Sequence, residues 1–142
     1  MVVPAFFVAD ASFTLPWAFS DEGNALTDEA WKALRNDATT IHVPAIWMWE
    51  FANGLFMGEK RGRISREAID QCVSVVTEAQ IRVVSELPRS VFSELPGYIR
   101  SHGLTSYDAA YLALAVRHAL PLATFDKALA KAALAEGVEV LS

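Results

Sequence analysis

Four acids in this chain stand where a carboxylate is hard to place: Asp10 ends an apolar run, Glu50 interrupts an apolar helical pattern, and Asp108 and Asp126 sit at helix starts. A carboxylate at the edge of buried apolar sequence has to be paired, protonated or bound to a metal, because removing it from water is costly. No matching set of Arg or Lys lies near them along the chain. Two like charges about 4 Å apart repel by roughly 4 kcal/mol at an effective dielectric near 20, so four gathered carboxylates need a compensating cation or the protonation of some of them. Oxygen ligands without a Cys or His cluster favour Mg²⁺ or Mn²⁺ over Zn²⁺. His42, His102 and His118 are scattered, and His118 suits a helix C-terminus. Metal-assisted hydrolysis is the chemistry these residues point to.

Each acid also has an ordinary reading. Asp126 can cap a helix after a strand, Asp108 completes a capping box with Thr105, and Asp10 can cap a turn with help from Ser12. Glu50 resists this treatment, being the only charged residue between Asp37 and Glu59, with Trp49 and Phe51 beside it. Caps explain three acids singly and leave their joint placement to the elements that carry them.

Those elements alternate. Ala5 to Ala9 reads as a buried strand, Thr27 to Leu34 as a helix, and Ile41 to Val43 as a second strand. Pro44 suits the first turn of a helix through Trp47, Glu50, Phe51 and Leu55 toward Arg61, with Gly54 and Gly58 on one face for close packing. Ser65 caps a helix from Arg66 to Ala79, and Ile81 to Ser85 returns to strand. Pro88 opens a helix that Pro96-Gly97 is expected to break or kink before Gly103 ends it. Thr105 or Ser106 caps Tyr107 to His118, Leu120 to Thr124 is a strand, Asp126 opens the last helix, and Val138 to Leu141 follows Gly137. This alternation predicts an α/β fold, a parallel sheet flanked by helices, with ligands beyond the carboxyl ends of the strands. Asp10 and Asp126 follow strands there, and the helices of Glu50 and Asp108 begin there, so the four acids should converge.

Composition sets the outer limits. At 142 residues and 53% hydrophobic content, residues 1–142 fit one domain with an ample core. No uncharged stretch is long enough to span a bilayer. The opening Met-Val-Val-Pro-Ala-Phe-Phe-Val-Ala-Asp-Ala lacks a basic n-region and is broken by Pro4, so it reads as a first strand and not a signal peptide. A lone cysteine, Cys72, allows no internal disulfide and agrees with a reducing, cytoplasmic setting. The net charge of −5 argues weakly against nucleic acid. The one basic cluster, Lys60, Arg61, Arg63 and Arg66, reads first as a solvated helix end and second as a phosphate contact.

Longer motifs then carry a family likeness. Leu104-Thr105-Ser106-Tyr107-Asp108-Ala109-Ala110-Tyr111-Leu112-Ala113-Leu114-Ala115 is followed by Leu120-Pro121-Leu122-Ala123-Thr124-Phe125-Asp126-Lys127-Ala128-Leu129. With Val8-Ala9-Asp10-Ala11-Ser12 and Glu50-Phe51-Ala52-Asn53, these make the chain resemble the PIN-domain ribonucleases, and among them the VapC-type toxins of toxin-antitoxin pairs. The likeness spans essentially the whole chain, and its one departure is Pro96-Gly97. It implies a three-layer fold and a Mg²⁺ or Mn²⁺ site made by Asp10, Glu50, Asp108 and Asp126, supported by Thr124, Ser12 and Asn53. It also implies an RNA substrate, a homodimer and an antitoxin whose tail occupies the groove. Lys60, Arg61 and Arg63 are the candidate RNA contacts.

Other classes fit less well. A haloacid-dehalogenase pattern needs a second Asp where Ser12 stands, and a receiver domain needs paired acids after the first strand. A catalytically silent binding module using the same groove for RNA or a protein is the alternative, although such a relative would be expected to have lost an acid.

Overall fold

The computed structural model describes residues 2–142. Five strands, β1 (Phe6–Ala9), β2 (Thr40–Pro44), β3 (Ile81–Val84), β4 (Leu122–Ala123) and β5 (Val140–Leu141), form one sheet in the order β3-β2-β1-β4-β5. Every pairing is parallel, with Val8 opposite both His42 and Leu122, and Ala9 opposite Ala123. The consecutive residues Phe7, Val8 and Ala9 are all buried, as are Ile41 to Pro44. A strand buried on both faces needs helices on both sides, which is why these runs are apolar on both faces apart from His42 and do not alternate.

Among the described residues seven helices flank the sheet: α1 (Ala11–Thr14), α2 (Ala25–Arg35), α3 (Ile46–Lys60), α4 (Arg66–Glu78), α5 (Pro88–His102), α6 (Ser106–His118) and α7 (Lys127–Ala135). Helix α6 packs against β1, β2 and β4, and its run from Ala109 to Ala115 is buried except for the half-buried Ala110. Helix α3 buries Trp47, Phe51, Leu55 and Gly58, one stripe at helical spacing. A Cβ on Gly54 would stand 2.5 Å from Leu15 Cδ2, and one on Gly58 would run into the Phe19 ring. The two glycines serve close packing, as their shared face predicts.

Three local expectations need correction. Pro44 is the last residue of β2, and helix α3 begins two residues later behind Ala45; a strand end also tolerates a residue without an N–H. Pro96 lies inside an uninterrupted α5. The carbonyl it leaves without a helical partner belongs to Phe92, which is 78% exposed, so water can satisfy it. Asp10 was given a turn to cap with help from Ser12, and it caps the short helix α1 instead, followed by two 3-10 turns, Leu15–Trp17 and Ser20–Glu22.

The topology fixes where a ligand crevice lies. From β1 the chain moves outward to β2 and β3, then crosses back to β4 and β5 on the other side of β1. The order therefore reverses between β1 and β4, and the carboxyl ends of these two strands form the switch point at which open parallel sheets bind ligands.

Candidate active site

Asp10 follows β1 at the switch point and is 5% exposed. It caps α1, its Oδ1 accepting from the Phe13 N–H at 3.2 Å. Two hydroxyls hold the rest of the carboxylate: Ser12 Oγ donates to Oδ1 and Thr124 Oγ1 donates to Oδ2, both at 2.7 Å. Each hydroxyl is itself fed by the loop after β4, because the Phe125 N–H donates to Ser12 Oγ at 3.0 Å and the Asp126 N–H donates to Thr124 Oγ1 at 3.0 Å. Backbone donors, hydroxyls and carboxylate thus form two parallel chains that lock β1 to β4. Burial pushes the Asp10 carboxyl up from 3.8 to about 6, although all three hydrogen bonds pull it down.

The other acids surround this one. Asp126 caps α7 through Leu129 N–H at 2.9 Å, as its position after a strand predicts. Thr105 caps α6 by accepting from the Asp108 N–H at 3.1 Å, which leaves Asp108 in the first turn at the positive end of the helix. Asp108 is held above its ordinary range by burial and then by the charge of Asp126, with the Thr105 hydroxyl opposing. Glu50, half-buried in the second turn of α3, is raised by burial and by Asp108, while Tyr111 opposes. Asp108 also acts on Asp10. Asp108 therefore acts on Asp10 and Glu50 and is acted on by Asp126, so the four acids from four segments share one electrostatic neighbourhood.

Tyr111 is the residue that sequence reading passed over. Its hydroxyl donates to Glu50 Oε1 at 2.6 Å from a side chain that is 1% exposed. Burial and then the Glu50 carboxylate hold the phenol proton firmly in place. A signal was present: Tyr111 follows Asp108 by one helical turn in an otherwise apolar run, where a hydroxyl needs a partner. Trp49 was taken as a sign of burial beside Glu50, yet it is 71% exposed, and only Phe51 is in the core.

Among the described residues, none of the four acids forms a salt bridge; the ion pairs join Arg63 to Asp21 and Glu22, His102 to Glu136, and Arg117 to Glu94. Mutually repelling carboxylates without a basic partner fit a hard divalent cation in charge and in donor type. Among the described residues no three His, Cys, Asp or Glu side chains already stand grouped around a metal position. Asp10, Asp126 and Glu50 turn oxygens to the N–H groups and hydroxyls described above. The remaining candidates are less closely tied. Asn53 is exposed on α3 and makes no hydrogen bond with the acids among the described residues. Lys60 and Arg61 are exposed at the end of α3, about 15 Å along the helix from Glu50. Arg63 is engaged with Glu22 at 2.6 Å and lies over the Phe19 ring.

Comparison with known proteins gives a concordant family. The chain matches the PIN domain family over residues 7–134. No curated protein matches it by sequence. Among solved structures it is similar in fold to PAE2754 from Pyrobaculum aerophilum, at 23% identity and TM-score 0.69, covering 96% of this chain and 83% of that one. FitAcB from Neisseria gonorrhoeae aligns at 18% identity and TM-score 0.63, and a toxin-antitoxin complex from Klebsiella pneumoniae at 14% and 0.56, each covering 96% of both chains.

Proposed function

The chain belongs to the PIN domain family, and on that premise we propose that it is a Mg²⁺- or Mn²⁺-dependent endoribonuclease acting as the toxin of a toxin-antitoxin pair. The observation that carries this reading is the set of four carboxylates at the switch point that have no basic partner among the described residues, three of them pushed toward protonation by burial and mutual repulsion. An acid cluster that is costly without a cation is well suited to binding one.

Asp10 and Asp108 would hold the ion directly, with Glu50 and Asp126 beside them. A bound divalent ion supplies a water of lowered pKa and shields the approach of a phosphodiester. The protein's own contribution is positional. The Ser12 and Thr124 chains fix the Asp10 carboxylate in one orientation, and Tyr111 holds Glu50 by a short hydrogen bond, leaving its other oxygen to accept from water. The N-termini of α6 and α7 favour negative charge at this edge, which helps the site accept both its carboxylates and a phosphate. Single-stranded or looped RNA is the substrate class of this reading, since chemistry on a strand held in an open crevice requires unpaired nucleotides.

An antitoxin partner and a homodimer belong to the same proposal. They are supported by the likeness to the Klebsiella pneumoniae complex and by the exposed apolar side chains Met48, Trp49 and Phe56 on α3. Among the described residues no helix is long and apolar enough to cross a membrane. The test is cleavage of single-stranded RNA with Mn²⁺ by the wild type and by Asp108→Asn. Metal-dependent cleavage lost in the variant supports the reading, and equal cleavage by both sinks it.

A further inference from the structure

On the side of the sheet that α6 covers, one corner is left open. Helix α6 packs over β1, β2 and β4 and ends at His118, whose ring lies 6.1 Å from that of His42. Past that end the same sheet face shows alternate residues of three neighbouring strands: Phe6 of β1 pairs with Thr40 of β2, and His42 of β2 pairs with Arg82 of β3. Together with Gln80 these residues line a cavity of about 430 Å³, a size within the range of small-molecule sites. Parallel sheets ordinarily bury both faces, so an open polar corner is a departure. It is also cationic, in a chain of net charge −5. No carboxylate lines the cavity, and Arg82 is exposed and forms no salt bridge among the described residues. Burial, and then the charges of Arg82 and His118, hold His42 below its ordinary range. Phe6 is 54% exposed, with its ring 6.2 Å from that of His42. A free guanidinium, a hydroxyl and an amide near an exposed ring are donors for an oxyanion beside a stacking surface.

We propose that this corner binds a nucleotide, its phosphate held by Arg82 and its base stacked on Phe6. An arginine alone suits any oxyanion, and the aromatic surface selects one that carries a flat ring. The spacing agrees. Phe6 and Arg82 stand two strands and two residues apart, about 12 Å between Cα atoms, and the long Arg82 side chain shortens that gap to the span of one nucleotide. Thr40 and Gln80 lie between them on the middle and outer strands, where a ribose or a second phosphate oxygen would pass. The site is separate from the acids, since Phe6 precedes Asp10 by four residues, about 13 Å along β1. It therefore does not depend on the nuclease reading. A free mononucleotide and one nucleotide of an RNA strand present the same phosphate and base.

Titration calorimetry in EDTA with adenosine monophosphate, adenosine and inorganic phosphate tests the site with no metal at the acids. The monophosphate should bind about tenfold or more tighter than either fragment. Arg82→Ala should reduce it to the affinity of adenosine, and Phe6→Ala to that of phosphate, each with the wild-type far-UV spectrum. Phe6→Leu, which keeps apolar volume without a flat ring, serves where Phe6→Ala does not fold. A monophosphate that binds no tighter than adenosine would overturn the site, as would binding that survives Arg82→Ala. A short oligoribonucleotide without terminal phosphates separates the two sources. Competition with the monophosphate supports the site with an RNA strand as its occupant, and monophosphate binding without competition supports it with a free mononucleotide. Displacement of the monophosphate by an equal concentration of triglutamate would overturn it in favour of an acidic protein segment.

Discussion

Substituting Asp10 by Asn should stabilise the metal-free protein near pH 8, against the usual result for a buried hydrogen-bonded group. The Asp10 carboxyl is 5% exposed, and its pKa rises from 3.8 to about 6 on folding. For a carboxyl raised in the folded state, ionisation is disfavoured by folding. The penalty is complete above pH 6 and is relieved as pH falls through 6 toward 3.8. A shift of about two units corresponds to about 3 kcal/mol near pH 8, and about 1 kcal/mol of it remains near pH 4.5. Asn keeps the acceptor for Ser12 and the Phe13 N–H but turns a donor toward Thr124 Oγ1, which itself donates to Asp10 Oδ2. That mismatch costs about 1 kcal/mol. The net expectation is Asp10→Asn more stable by about 2 kcal/mol near pH 8 and about equal near pH 4.5. Urea unfolding with EDTA at both pH values measures it. Added Mg²⁺ should then stabilise the wild type and reverse the order at the higher pH. Asp10→Asn less stable by the same amount at both pH values would refute the reasoning, since Asp10 would then be an ordinary cap.

Other substitutions separate the contributions. Tyr111→Phe removes a short bond to a carboxylate and should cost about 1–3 kcal/mol of stability and lower cleavage, read by urea midpoint and single-turnover rate. Gly58→Ala drives a methyl into the Phe19 ring and should cost about 1–3 kcal/mol on thermal unfolding, with the far-UV spectrum retained. Ala119 ends α6 with φ 52°, a left-handed conformation that disfavours a side chain; Ala119→Gly should gain up to about 1 kcal/mol by the same assay. Arg63→Ala should leave the unfolding midpoint nearly unchanged, because its pairs with Glu22 and Asp21 are exposed and screened, and a large loss of RNA affinity would restore it as a phosphate contact.

Much of the architecture was legible because parallel α/β folds write themselves locally. The apolar runs Phe7 to Ala9 and Ile41 to Val43, the capping residues Ser65, Thr105 and Asp126, and the closing Gly103 at φ 64° are where their local chemistry places them. The errors came where tertiary context overrides a local preference. Pro96-Gly97 was expected to break or kink α5; the helix is not broken, and Phe92, whose carbonyl loses its helical partner, is exposed to water. Pro44 fits a helix start by its fixed φ, yet pairing with Val84 in β3 draws it into the sheet. Neither outcome depends on residues nearby in sequence.

The sequence by itself determined which residue types are present for chemistry and that strands and helices alternate, which is enough to send Asp10, Glu50, Asp108 and Asp126 to one edge of a parallel sheet. Only the tertiary structure decided how these acids are held. The chains from Phe125 and Asp126 through Ser12 and Thr124 to Asp10, and the bond from Tyr111 to Glu50, each join groups from different segments. The same is true of Glu86, an unremarkable loop acid along the chain whose Oε1 is buried without a hydrogen-bond partner among the described residues. Hydrogen bonds and desolvation depend on distances between side chains, and the chain order of residues does not contain those distances until β1 and β4 are paired.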